Sequence, residues 1–191
     1  SVKINMKQFS FTLFLCSFLG FSHLAFSQKI DVDSLLIKAI KDVRENNLQA
    51  GLQKARLGMK LAPEYLDFHL TAGRIHQLSQ QNDSARYYFN HVIKNNPVYE
   101  DAFLYLINLN LEEKKYSEAE ILVDKAIATH PEKKYFKLKK WNVIQSKNDE
   151  KEEYQYLQII EPEFPNEEEL KQRIFFLESK INSDRIGVNY S

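Results

Sequence analysis

The chain has 191 residues, 43% of them hydrophobic and 27% charged, with 26 basic side chains balanced by 26 acidic ones and one cysteine. These proportions exclude extended disorder and a membrane-filling chain. Balanced charge, with no Arg/Lys stripe interleaved with aromatics, gives nucleic acid nothing to bind.

The chain opens on a targeting pattern. Met6-Lys7 is a short basic start, residues 9–21 are an apolar stretch, and Ala25-Phe26-Ser27 puts small residues at −3 and −1, so residues 1–27 read as a signal peptide and Gln28 as the first mature residue. The apolar stretch is shorter than the roughly 20 residues a membrane span needs. Residues 1–5 are expected to lie upstream of the natural start at Met6. Phe14-Leu15 ahead of Cys16 lack the small residues of a lipoprotein signal, so no lipid anchor is expected there. A mature chain without cysteine forms no disulfide and no thiolate metal site. It keeps 24 basic and 26 acidic residues once Lys3 and Lys7 are removed, near −2. The expected location is periplasmic.

Beyond the leader, Pro63, Pro97, Pro131 and Pro165 stand 34 residues apart. A period of that length suits two short helices and two turns, each pair burying its face on the next. With proline at position 32, the repeats run 32–65, 66–99, 100–133 and 134–167. Position 20, where the second helix approaches the first, holds Gly51, Ala85, Ala119 and the misfit Glu153. Position 24 holds Ala55, Phe89, Val123 and Leu157, and position 27 holds Gly58, Val92, Ala126 and Ile160, one stripe on one helical face. Polar residues between the two helices supply the turns. Ser117 with Glu120 is expected to cap the second helix of repeat three.

On these residues, with Ala72-Gly73 at positions 7 and 8 of repeat two, the chain resembles the tetratricopeptide repeat family from residue 32 to about 167. The resemblance implies an all-α fold, a right-handed superhelix of about four helix-turn-helix repeats, and a function in binding. Departures are Lys38 and Gly51 in repeat one and Lys140, Trp141 and Glu153 in repeat four. Trp141 at a close-packing position is expected to push its two helices apart or shift their register. Asn166 with Glu169 opens a further helix whose stripe of Leu170, Ile174, Leu177 and Ile181 suits a capping helix over residues 166–181.

In that family the first helix of each repeat lines a concave groove through positions near 2, 5, 9, 12 and 13. Position 5 is Leu36, Leu70, Leu104 and Leu138, either an apolar groove stripe for an amphipathic partner segment or packing between the two helices. Arg44, Arg74, Gln77, Asn108, Asn142 and Gln145 flank it, able to bond a peptide backbone or sugar hydroxyls, or simply to face solvent. The leucines leave no basic residue at position 5, so the carboxylate clamp of chaperone-binding relatives is absent.

No catalytic residue, metal site or cofactor is expected. His69 and His76 lie two helical turns apart, about 10 Å by rise and too far to share a metal ion, at positions expected to be core. His91 and His130 have no partner at ligand spacing. Acidic runs suit solvated helix starts, and no phosphate loop or nucleophile elbow occurs.

Residues 184–191 alternate Ile186, Val188 and Tyr190 with Arg185, Gly187 and Asn189, which predicts the start of a β-strand. A signal peptide, helical repeats and an R-I-G-V-N-Y-S strand together resemble YaiO-type outer-membrane β-barrel proteins, which implies a periplasmic helical region ahead of a barrel lying beyond Ser191. The leading expectation is a non-enzymatic periplasmic scaffold holding a protein or peptide partner in its groove and joined to the outer membrane through that barrel. Alternatives are a polysaccharide-export component whose groove contacts glycan or envelope enzymes, and a periplasmic sensory region of a membrane signalling protein.

Overall fold

A computed structural model describes residues 31–188, with side-chain surroundings as far as residue 183. The signal-peptide region and residues 189–191 lie outside the described residues. Four antiparallel helix pairs follow in order: α1 (Val32–Arg44) with α2 (Leu48–Leu61), α3 (Leu66–Leu78) with α4 (Asn82–Asn95), α5 (Glu100–Glu112) with α6 (Tyr116–Thr129), and α7 (Lys134–Ser146) with α8 (Glu150–Ile160). A 3₁₀ turn (Glu161–Glu163) leads to α9 (Glu168–Val188). Each helix packs on the ones before and after it in sequence, so burial is shared along the array.

Every first helix ends the same way. The residue at position 15 has positive φ in all four repeats: Asn46 (60°), Gln80 (58°), Lys114 (58°) and Asn148 (58°). In all four, its N–H bonds the carbonyl three residues back. In the first three, the next N–H bonds the carbonyl five back: Asn47 to Asp42 at 2.7 Å, Gln81 to His76 at 2.8 Å and Lys115 to Asn110 at 2.8 Å. This double closure satisfies carbonyls that a helix end leaves open and reverses the chain in two residues. A second recurring bond closes the repeat. Tyr65, at position 34, donates its hydroxyl to Asp33 Oδ1 at position 2 (2.9 Å), and Tyr99 does the same to Asp67.

Packing exchanges volume between neighbours. Phe68 of α3 is fully buried against Gly58 of α2, where any β-carbon would strike its ring. Gly73 of α3 likewise admits Phe89 of α4, whose ring would lie 2.6 Å from an added β-carbon. Three apolar clusters result. One, around Phe68, joins the first two repeats. Another, around Phe89, Phe103, Leu106 and Phe136, runs from repeat two into four. The third, around Trp141, Leu157 and Leu170, joins repeat four to α9.

Repeat four keeps its register in spite of its two misfits. Its helices lie less closely together than those of the first three repeats, as Trp141 leads one to expect, but the gap is filled by Glu153, only 2% exposed. Trp141 Nε1 donates to Glu153 Oε1 at 2.9 Å, and Arg173 of α9 donates Nε at 3.0 Å and Nη2 at 2.7 Å to the two carboxylate oxygens. Burial pushes the Glu153 carboxyl up, yet the bonds from Arg173 and Trp141 together hold it below its ordinary value of 4.5. The two departures are one feature: a buried carboxylate that fastens α9 to the last repeat.

Three expectations are corrected. Residues 184–188 are not a strand; they continue α9, because a single strand has no neighbour for its backbone groups whereas a helix satisfies its own. Ser117 lies within the first turn of α6, which starts at Tyr116 with no side-chain cap, so the capping box does not form. A side-chain cap does form at Asp149, whose Oδ1 accepts from the backbone N–H of Lys151 (3.1 Å) and Glu152 (3.0 Å). The capping helix starts at Glu168 rather than Asn166 and runs to Val188.

Two predictions follow from this geometry. Lys114→Gly relieves a left-handed conformation that costs a side-chain-bearing residue about 1 kcal/mol, so thermal unfolding should shift upward by several degrees; Lys114→Val should shift it downward. Glu153→Ala strands Arg173 and the Trp141 N–H and should cost about 3 kcal/mol. Since folding lowers the Glu153 pKa, its stabilisation is complete above the unfolded value and is lost as pH falls through the folded one. Glu153→Gln should therefore flatten the acid side of a melting-temperature profile below pH 4.5.

Candidate functional site

The first helices of three consecutive repeats enclose a cavity of about 570 Å³. Ile40 and Val43 from α1 with Leu70 and Leu78 from α3 give it an apolar lining, with Thr71, Tyr99 and Tyr105 beside them. Its charges are separated. Asp67 and Asp101 sit at position 2 of α3 and α5, while Arg44 lies at position 13 of α1 and Arg74 at position 9 of α3. Seven and eleven positions of helical rise correspond to about 10 and 16 Å, so the cavity has an acidic end and a basic end.

Hydrogen bonds hold several of these groups in place. Tyr99 donates to Asp67, and burial together with this bond pushes the phenol well above its ordinary value. Thr71 Oγ1 returns a bond to the Asp67 carbonyl at 2.7 Å. The Arg74 guanidinium lies 5.3 Å above the Tyr105 ring and donates Nη1 to Gln77 Oε1 at 2.9 Å. Tyr105 also stacks on Phe89 with centroids 5.4 Å apart. Arg44 is the exposed cation of the lining.

Of the residues expected to form a groove, Leu70, Arg44 and Arg74 line this cavity. Leu36 is buried in the first cluster, while Leu104 and Leu138 are half-buried against the second and third. Position 5 therefore serves packing in all four repeats, and in the second Leu70 lines the cavity as well. Gln77 is buried between Arg74 and Glu112, and Asn108 accepts from Lys139 Nζ at 3.1 Å. Asn142 is exposed, and Gln145 faces Glu153 at 3.5 Å. Among the cavity residues that went unrecognised in the sequence, Asp67 and Asp101 stand at position 2 and Ile40, Val43 and Leu78 at positions 9, 12 and 13, all groove positions by the family resemblance. That placement was the available signal. Tyr99, Thr71 and Tyr105 lie outside those positions and carried none.

The histidines pack differently from expectation in one respect. His76 accepts or donates at Nδ1 to Gln81 Oε1 (2.6 Å) and stacks on Tyr88, and His130 is buried between Phe103 and Phe136. His91, however, does have a partner: its ring centroid is 4.3 Å from that of His69. Neither ring nitrogen of His69 has a hydrogen-bond partner among the described residues, and burial, with the nearby His91, holds its pKa below 6.5. Among the described residues no group of three or more His, Cys, Asp or Glu is placed to hold a metal ion, and no helix is long and apolar enough to cross a membrane.

The architecture defines a superhelical tetratricopeptide-repeat fold. A tetratricopeptide repeat protein from Parabacteroides merdae superposes with a TM-score of 0.64 at 14% identity, over 85% of this chain and 63% of that one. A thermophilic TPR protein from Thermus thermophilus gives 0.59 at 14% identity over 79% and 83% of the two chains. An O-GlcNAc transferase from Thermobaculum terrenum gives 0.58 at 12% identity over 70% of this chain but 26% of its own length. At such identities the likeness is one of fold. The chain spans less than two thirds of the Parabacteroides protein. No protein-family model matches the sequence, and no curated protein matches it significantly.

Since folding lowers the His69 pKa, the neutral ring is favoured in the native state, and stability should fall as pH drops from 6.5 through the lowered value. His69→Phe, the residue type that Phe103 supplies at the same position, should remove that fall and raise the melting temperature at pH 5.5, read by circular dichroism.

Proposed function

We propose that the cavity on the first three repeats binds an apolar segment of a partner protein, its apolar side chains entering between Ile40, Leu70 and Leu78 and an acidic residue meeting Arg44 and Arg74. The polarised cavity carries this reading: an apolar floor supplies affinity, and separated charges set the direction in which a segment lies. A glycan ligand is less well served. The ring of Tyr105 is already covered by Phe89 and Arg74, and the amides Asn108, Asn142 and Gln145 lie away from the cavity. The function proposed is that of a non-enzymatic interaction scaffold.

The leader pattern at Met6–Lys7, residues 9–21 and Ala25–Ser27 supports a periplasmic site of action. The proposal extends to association with the outer membrane, supported by the resemblance in sequence plan alone, since residues 184–188 are helical.

A displayed library of random peptides selected against the full chain tests the cavity. Enriched peptides should pair apolar residues with an acidic flank. Leu78→Glu, at a side chain 42% exposed and so tolerated by the fold, should weaken them at least tenfold, and Arg44→Glu should shift selection toward basic flanks. Peptides that bind both variants as well as the parent chain would overturn the assignment.

A further inference from the structure

Helix α9 begins in the register of a first helix. Glu168 stands 34 residues after Lys134, at position 1, and the buried Leu170 and Leu177 with half-buried Ile174 seat the helix on repeat four. Position 8 of a first helix is the site its own second helix covers: Ala39, Gly73, Ile107 and Trp141 are all buried there. The corresponding residue of α9 is Phe175, and it is 74% exposed. Lys171 and Glu178 share its stripe at spacings of four and three residues.

We infer that this face of α9 pairs with the same face of a second copy of the chain, the two helices antiparallel about a two-fold axis at Phe175. An isologous contact must be complementary to itself, and this stripe is. Lys171 precedes Phe175 by four residues and Glu178 follows it by three. Antiparallel pairing therefore brings each lysine within about 1.5 Å, along the axis, of the other copy's glutamate. Two ion pairs then flank an aromatic contact at the centre. The exposed Lys171–Glu168 pair within the helix, at 3.3 Å, is of the weak surface kind and exchanges readily. The antiparallel approach is also the one by which a second helix covers position 8 in each of the four repeats. A single helix pair buries little area, so the dimer belongs to the weak class, forming at roughly tens to hundreds of micromolar.

Sedimentation velocity of the full chain, from a few micromolar upward through that range, tests this. The expected result is a monomer–dimer equilibrium that Phe175→Ala weakens at least tenfold, with the helical circular dichroism unchanged because the side chain is exposed. Lys171→Glu alone places carboxylates opposite one another and should weaken the dimer. Lys171→Glu combined with Glu178→Lys restores opposite charges and should restore it. A chain that stays monomeric throughout, a dimer indifferent to Phe175→Ala, or a double variant as weak as the single one would each overturn the inference.

Discussion

Each apolar cluster among the described residues draws on more than one helix pair or on α9, so a pair is completed only by its neighbour. The contact of Phe68 with Gly58 shows how the constraint operates, since a side chain of α3 fills space that α2 leaves by having none. Gly73 and Phe89 repeat the exchange within repeat two. Residue size at one position is therefore meaningless without the size across the interface, which is how close packing is kept while individual positions vary. The three apolar clusters, the course of the helices and the cavity on the first helices all descend from that reciprocity.

The same logic explains what was legible in the sequence. The 34-residue spacing of prolines and the stripe at positions 20, 24 and 27 carried the helix-pair pattern, because they report a repeat length and one buried helical face. Trp141 and Glu153 looked like two separate faults because each was compared with its own position. Their compensation is mutual, and its third member, Arg173, lies outside the repeats altogether. Nothing in a single register can show that. The terminal alternation of Ile186 and Val188 misled for a simpler cause: over so few residues, period two carries little weight against a helix already under way that satisfies its own backbone.

The cavity was half legible. Arg44, Leu70 and Arg74 could be placed from position alone, but reading the leucines of position 5 as equivalent overlooked that a repeat array has ends and a middle. Leu36 is buried in the first apolar cluster, while Leu70 of the second repeat opens into the cavity. The polar residues show the complementary effect. Gln77 was free to serve a ligand by sequence, and in the fold it is taken up by Arg74 and Glu112. Availability is a property of surroundings, which only the folded neighbours supply.

The four left-handed turns carry a wider consequence. Asn46, Gln80 and Asn148 are amides and Lys114 is not, yet the four φ angles agree within two degrees. The reversal is dictated by backbone hydrogen bonds and by the length of chain between them, so the curvature of the array is stored in distances along the polypeptide rather than in the identity of its residues. Such a protein tolerates different side chains at its corners at a modest cost in stability, while the insertion or loss of one residue there would turn a helix by about 100 degrees and set every later repeat out of step.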